Sequence, residues 1–165
     1  MTEFNRAGVH MNDKVKRIFA RLRDTADFAD SDLSDINVCA SDGDNALHTV
    51  VMWGDFSAAK ILIESGIDIN KAGDLGYTPL HIACMKGNYE MVRLLVDKGA
   101  DLFAMSEGYT PFTLARLHGF DRICDFLSPL AEQAQSGDPK IWLRARIAQL
   151  RREADRLEAD LHRPR

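Results

Sequence analysis

An internal period of 33 residues is the feature that most constrains this 165-residue chain. Residues 43–48 match residues 76–81 at this offset, and Gly66 and Gly99 keep the same spacing. A third copy begins at Gly108, 32 residues after the second. Because glycines, apolar pairs and the residues around each predicted turn all recur at one offset, the sequence predicts a chain of stacked repeats.

Each repeat is expected to hold two short helices. Thr78 and Pro79 suit a helix start, since the hydroxyl caps free N–H groups and proline needs no N–H donor there. Gly87 ends this helix, a second helix is predicted over residues 89–97, and Gly99 ends that one. Neither helix can bury its apolar face alone, so neighbouring units must stack.

Residues 76–83, Gly-Tyr-Thr-Pro-Leu-His-Ile-Ala, resemble the signature of the ankyrin repeat family. The resemblance covers roughly residues 35–127 and implies stacked helix–turn–helix units with β-hairpin fingers along one edge. Two end units depart from the signature: Asn45-Ala46 replaces Thr-Pro in the first, and Thr113 replaces the histidine in the third. Such departures are typical of terminal repeats.

The flanking segments complete an expected all-α fold, an ankyrin-repeat solenoid with a long C-terminal helix. Apolar residues at i, i+3, i+4 and i+7 from Val15 predict an amphipathic helix capped by Asn12 or Asp13. The predicted division is a flexible N-terminus over 1–12, a degenerate N-terminal capping unit over 13–34, about three repeats over 35–128, a linker or cap over 129–137, and an amphipathic helix over 138–165.

Two interpretations of the C-terminal helix stay open. From Leu143 to Leu161 the apolar residues alternate at spacings of four and three, which is a heptad stripe. One interpretation is a coiled coil over 138–161 that forms a homodimer or docks a partner helix. The other is a long cap that folds back on the third unit.

Charge and cysteine content indicate the class of partner and the compartment. Residues 1–137 carry a formal net charge of −7 and residues 138–165 one of +3. An acidic body disfavours nucleic acid and favours a basic protein partner. No apolar run is long enough for a membrane span. The three cysteines form no short-spaced pair, so we expect free thiols and a cytoplasmic protein.

The sequence offers no convincing catalytic constellation. His48 and His81 are expected to hydrogen-bond the turn beside their helix starts. The cysteines lack metal-ligand spacing, and no nucleophile–base pair or phosphate-binding loop can be assembled. We therefore expect no enzyme, cofactor or metal ion.

The resemblance implies that a protein partner binds to the finger tips and to the exposed edge of the first helices. Trp53 has an alternative role, which is to fill a gap against the N-terminal unit. The positions that match this binding surface are Asp42, Asp44, Trp53, Asp74, Leu75, Tyr77, Met85, Lys86, Glu107, Tyr109 and His118.

The predicted function is that of a non-enzymatic protein–protein interaction module with an acidic, aromatic binding face. There are two alternatives. A stand-alone acidic repeat protein resembles immunity or antitoxin-like proteins, which mask a toxic and often basic effector. The other alternative is a homodimeric scaffold assembled through the C-terminal helix.

Overall fold

A computed structural model describes residues 12–25, 28 and 34–135, the last three of them by their backbone alone. The chain divides into two compact units, with the boundary after Ile123. None of the described helices is long and apolar enough to cross a membrane. The described helices are α1 (Asp13–Arg23), α2 (Ala46–Met52), α3 (Phe56–Glu64), α4 (Pro79–Met85), α5 (Tyr89–Asp97), α6 (Pro111–Leu117) and α7 (Asp121–Gln135).

The helices of the first unit form two layers, as the period predicts. In the first layer α4 packs between α2 and α6, and in the second layer α3 packs against α5. Each repeat also joins the layers, since α2 packs on α3 and α4 on α5. The core lies between them and is built from fully buried leucines such as Leu47, Leu62, Leu80 and Leu95.

The first-layer helices begin with the same polar device. Asn45, Thr78 and Thr110 are N-caps in extended backbone, each paired with the residue three positions later. Thr110 donates its N–H to the Thr113 hydroxyl over 2.7 Å, so threonine serves where the other units use histidine. The helix start predicted from Thr78 and Pro79 is confirmed.

The loops before the first-layer helices are the fingers, defined here as residues 35–45, 67–78 and 100–110. The described part of the chain contains no paired strands there, although β-hairpins were expected. The first and third fingers have one isolated bridge each, Cys39 with Asn45 and Ser106 with Tyr109. The second finger contains a 3₁₀ turn over Asp74–Gly76. Fingers this short form tight turns in place of β-ladders.

Asparagine side chains tie each finger to the next. The Asn37 Oδ1 accepts the Asp68 N–H over 2.7 Å, and the Asn70 Oδ1 accepts the Asp101 N–H over 2.8 Å. Phe103 occupies the matching position of the third finger. The asparagine ladder therefore stops at the third finger.

Helix α1 covers the N-terminal side of the repeats. The side chains of Val15 and Leu22 are fully buried, and α1 packs against both α2 and α3. The Asn12 side chain caps α1 by accepting the Val15 N–H over 2.9 Å. The predicted amphipathic helix is thus confirmed, with Asn12 as its cap. The proposed extent of a capping unit over 13–34 stays a prediction.

Helix α7 extends into the segment predicted as a linker or cap. It runs continuously to Gln135, so residues 129–135 are helical with Pro129 inside the helix. Proline has no N–H to donate, which removes one hydrogen bond from the helical ladder. The predicted amphipathic helix over 138–165, with its dimer segment over 138–161, lies outside the described residues, as does the N-terminus before Asn12.

Candidate interaction surface

The finger surface is the part of the fingers that faces solvent. It lies at the start of the first-layer helices, and each of those helices is seven residues long, or about 10 Å. Its exposed members include Asp42, Asp74, Leu75, Phe103, Met105, Glu107 and Tyr109.

Within residues 35–123, the acidic surplus is concentrated on the fingers. The three fingers hold seven aspartates and glutamates and one basic residue, Lys71. The rest of residues 46–123 holds five acidic and six basic residues. A positive ligand is therefore attracted to the fingers rather than to the helices.

Two predicted finger aspartates help to build the turns. The Asp42 carboxylate accepts the Asp44 N–H over 3.0 Å. The Asp44 carboxylate is half-buried and accepts the Asp74 N–H of the next finger over 3.0 Å. Gly73 has to be small, because a Cβ there would overlap this carboxylate. Asp44 therefore ties two fingers together and has less freedom to contact a partner than Asp74 or Glu107.

Leu75 has an unusual backbone for a leucine. Its φ of 52° lies in the left-handed region, where a branched side chain crowds the backbone. The Ser106 hydroxyl of the third finger donates to the Leu75 carbonyl oxygen over 2.8 Å. Leu75 still exposes 61% of its surface, so the conformation presents the side chain to solvent.

The two predicted finger tyrosines differ in accessibility. Tyr77 is half-buried, and its ring meets the His81 ring edge-on with 5.6 Å between centroids. Tyr109 is exposed. Both tyrosine carbonyls accept a histidine N–H from the preceding repeat. Tyr77 thus contributes to packing within the stack, whereas the Tyr109 ring is accessible.

The helix edge lies at the other end of the first-layer helices. Met85 is half-buried, and the His118 ring stacks on the Phe120 ring with 6.1 Å between centroids. The edge is cationic at Lys86, and Arg116 lies directly beside it. The binding face was expected to be acidic over both the fingers and the helix edge, but only the fingers are acidic. The helix edge is formed by Met52, Trp53, Met85, Lys86, Leu117 and His118.

Trp53 contacts the N-terminal helix and also faces solvent. The Arg21 guanidinium lies 5.2 Å from the ring centroid of Trp53 and 2.7 Å from the Asp55 carboxylate. The ring nevertheless exposes 42% of its surface. Both roles expected for Trp53 are thus compatible with its position.

The buried histidines serve the fold. The His48 Nδ1 accepts the Asn45 N–H over 3.1 Å, and the His81 Nδ1 accepts the Thr78 N–H over 3.1 Å. Burial lowers the pKa of His81, so its ring is neutral. The predicted hydrogen bonds of these histidines to the helix starts are confirmed. Among the described residues, no group of three metal-ligating side chains is placed to hold an ion.

Sequence reasoning missed two exposed side chains of the third finger, Phe103 and Met105. Phe103 stands where the earlier fingers have Asn37 and Asn70, and Met105 stands where the second finger has Gly73. Both are exposed, Met105 by 61%. A position-by-position comparison of the repeats would have found them, because each replaces a polar or small residue by a large apolar one.

Exposed apolar side chains cluster on these two surfaces. Eight large hydrophobic residues are exposed in the described part of the chain, and all but Phe56 lie on the finger surface or the helix edge. The seven are Met52, Trp53, Leu75, Phe103, Met105, Tyr109 and Leu117.

Comparison with known proteins agrees with the period and the layers. A family model described as ankyrin repeats (3 copies) matches residues 11–106 and residues 73–138, which together span most of the chain. No curated protein matches the chain.

Proposed function

The chain belongs to the ankyrin repeat family, and from this premise we propose that it binds a protein partner through the finger surface and the helix edge. Ankyrin repeats generally mediate protein–protein interaction and are typically non-enzymatic. The proposal assigns the partner to one face of the stack and gives the chain no reaction of its own.

The distribution of exposed apolar side chains carries the proposal. Water disfavours large exposed apolar side chains, and clustered ones are typical of interaction sites. Here seven of the eight in the described chain lie at the two ends of the first-layer helices, on the finger surface or the helix edge. Aromatic residues and methionine, such as Trp53, Tyr109 and Met105, are enriched where proteins bind each other.

The charge of the fingers supports a basic protein as the partner. Seven acidic side chains against one lysine attract a cationic surface and repel phosphate backbones and anionic lipid headgroups. We therefore propose neither a nucleic acid nor a membrane as the ligand. We also propose a cytoplasmic location, because none of Cys39, Cys84 and Cys124 forms a disulfide.

A dedicated inhibitor of a toxic basic effector is the second candidate. The same concentration of acid on the fingers favours it, since an inhibitor of this kind covers a basic site. Its partner would be a single protein in equimolar amount. A general interaction module would instead recover several partners.

A pull-down from the host with tagged protein, washed at low and high salt, tests the proposal. The informative variant is Asp74→Lys/Glu107→Lys, which reverses two exposed finger charges. The control is Glu64→Lys/Asp97→Lys, which makes the same charge change at the ends of α3 and α5. We expect the control to recover a basic partner that the finger variant loses. Equal recovery by both variants would overturn the proposal.

A further inference from the structure

The tips of the second and third fingers are connected in a way that the repeat itself does not require. The Ser106 side chain is buried and donates its hydroxyl to the Leu75 carbonyl oxygen over 2.8 Å. This bond fixes the backbone of Leu75 against the third finger. Met105, the neighbour of Ser106, exposes 61% of its surface. The bond thus joins two fingers next to their most exposed apolar side chains.

The Leu75 backbone is costly for a leucine and is nevertheless held in place. Left-handed φ is tolerated best by glycine, asparagine and aspartate. The matching residue of the third finger, Glu107, also has a left-handed backbone, with a φ of 48°, whereas Asp42 of the first finger does not. Two fingers thus share the strained turn, and leucine at position 75 differs in exposing apolar surface where the other fingers carry a carboxylate. Strained residues of this kind are concentrated at functional sites.

Acidic side chains flank the apolar tips. Asp74 precedes Leu75, and Glu107 follows Met105 by two positions; both carboxyl-bearing residues are exposed. The fingers of a second copy of this chain would bring acid against acid. A segment with lysine or arginine on both sides of an apolar residue matches the charge and the apolar centre together.

We infer that Leu75 and Met105 form a preformed anchor site for an apolar side chain within a basic, linear protein segment. The inference rests on the proposed function and names the chemistry of its partner. Because the Ser106 bond holds the Leu75 backbone before binding, the segment meets an ordered tip, which lowers the entropy cost of association.

A random linear peptide library displayed on phage, panned on the immobilised full-length protein at low salt, provides the probe. We expect the enriched peptides to share an apolar residue flanked by lysine or arginine. The affinity of one such peptide is then measured by fluorescence anisotropy against wild type and three variants. Leu75→Asn and Met105→Ser remove the anchor, and Phe56→Gln removes an exposed apolar side chain from α3 as the control.

Leu75→Asn and Met105→Ser should each weaken the peptide affinity about tenfold or more, and Phe56→Gln should change it by less than about twofold. Leu75→Asn should also melt at a higher temperature than wild type, because asparagine adopts left-handed φ more readily. If Leu75→Asn is more stable than wild type but binds the peptide less well, the lost affinity comes from the anchor and not from a folding defect. If Leu75→Asn melts at a lower temperature than wild type, the peptide affinity of Met105→Ser tests the anchor instead.

Three results would overturn the inference: no enriched peptide, enriched peptides without the basic and apolar pattern, or full affinity in Leu75→Asn or Met105→Ser. The proposed function survives that last result if Asp74→Lys/Glu107→Lys abolishes peptide binding. The proposed function fails together with the inference if Asp74→Lys/Glu107→Lys also leaves the peptide affinity unchanged.

Discussion

Burial determines the role of His81, the residue that links the second and third repeats. Its Nδ1 accepts the Thr78 N–H, and its Nε2–H donates to the Tyr109 carbonyl over 3.2 Å. Only the neutral ring can accept at one nitrogen and donate at the other. Desolvation lowers the pKa of His81, while the Tyr109 and Ala104 carbonyls and the Asp101 charge oppose this shift.

The lowered pKa predicts a loss of stability in mild acid. The unfolded chain takes up a proton at His81 near pH 6.5, whereas the folded chain takes it up only at lower pH. The free energy of unfolding therefore falls as the pH drops below neutral, and this contribution levels off once the folded ring is protonated. Urea denaturation at several pH values measures the slope.

The variant His81→Thr tests the assignment of that slope to His81. Threonine keeps the helix cap, as Thr113 does in α6, but loses the bond to Tyr109. We expect about 1–3 kcal/mol less stability at neutral pH and a shallower pH dependence. His118→Gln replaces an exposed histidine as the control. An unchanged slope in His81→Thr would assign the acid sensitivity to other groups.

Gly87 and Gly119 form a matched pair for testing contact between repeats. Their φ angles are 68° and 72°, but a Cβ on Gly87 would lie 2.5 Å from the Phe120 ring, whereas Gly119 has open space. Alanine at either position has the cost of left-handed backbone, about 1 kcal/mol. Gly87→Ala should lose about 1–3 kcal/mol more, because the ring must move. Equal urea midpoints for the two variants would contradict the packing of Phe120 on Gly87.

The sequence predicts which residues form the local turns and helix caps, but not the contacts between repeats. Glycine at position 87 follows from helix termination alone, and Asn45 follows from capping. The approach of Phe120 to Gly87, and the bond from Ser106 to Leu75, join residues more than thirty positions apart. The repeat period predicts that the units stack, but it does not predict which side chains of neighbouring units contact each other.

At the scale of elements, Asp55 links α1 to the repeats. It caps α3 by accepting the Ala58 N–H over 3.0 Å, and it pairs with Arg21 of α1 over 2.7 Å. The hydrogen bond from Ala58 and then Arg21 lower the pKa of Asp55. Its contribution to stability is therefore present above the unfolded pKa of 3.8 and is lost as the pH falls through the folded value.

Two substitutions separate the roles of Asp55. Asp55→Asn keeps a capping oxygen and loses the ion pair, which on an exposed arginine contributes at most about 1 kcal/mol. Asp55→Ala loses the cap as well and should lower the free energy of unfolding by about 1–2 kcal/mol. Denaturation in urea compares the two. If Asp55→Asn is as unstable as Asp55→Ala, the ion pair with Arg21 matters more than the cap.

Elements with strong local patterns were predictable, and the fingers were less so. Helix α5 has the predicted bounds, Tyr89–Asp97, since Asn88 caps it and Gly99 follows its end. The fingers lack a repeating alternation, so their form depends on side chains such as Asn37 and Asn70 that reach the next unit. Helix α7 continues through Pro129 into the segment predicted as a linker or cap.

At the scale of the whole molecule, acid and base are separated between surfaces. Within residues 35–123 the fingers hold the acidic surplus, and Lys86 and Arg116 lie at or beside the helix edge. The composition gives only the net charge of the chain, because the surface on which each charged side chain lies is known only from the fold. The exposed positions of Phe103 and Met105 were likewise not predicted, because hydrophobicity favours burial.

The mass of the chain in solution tests the two interpretations of residues 138–161. Light scattering of the full-length protein should give a monomer if these residues form a cap and a dimer if they form a coiled coil. The matched variant is Leu150→Glu/Leu157→Glu, which places charge in the heptad stripe. A dimer that the variant converts to monomer supports assembly, whereas a monomer that melts lower in the variant supports the cap.

Amide hydrogen exchange of the partner complex tests the central claim most directly. The partner recovered from the host is added in excess, and exchange is followed along the chain by mass spectrometry. The proposed binding face predicts slower exchange over residues 67–78 and 100–110 and at the ends of α2, α4 and α6, with α3 and α5 unchanged. Protection confined to α3 and α5, with the fingers unaffected, would contradict it.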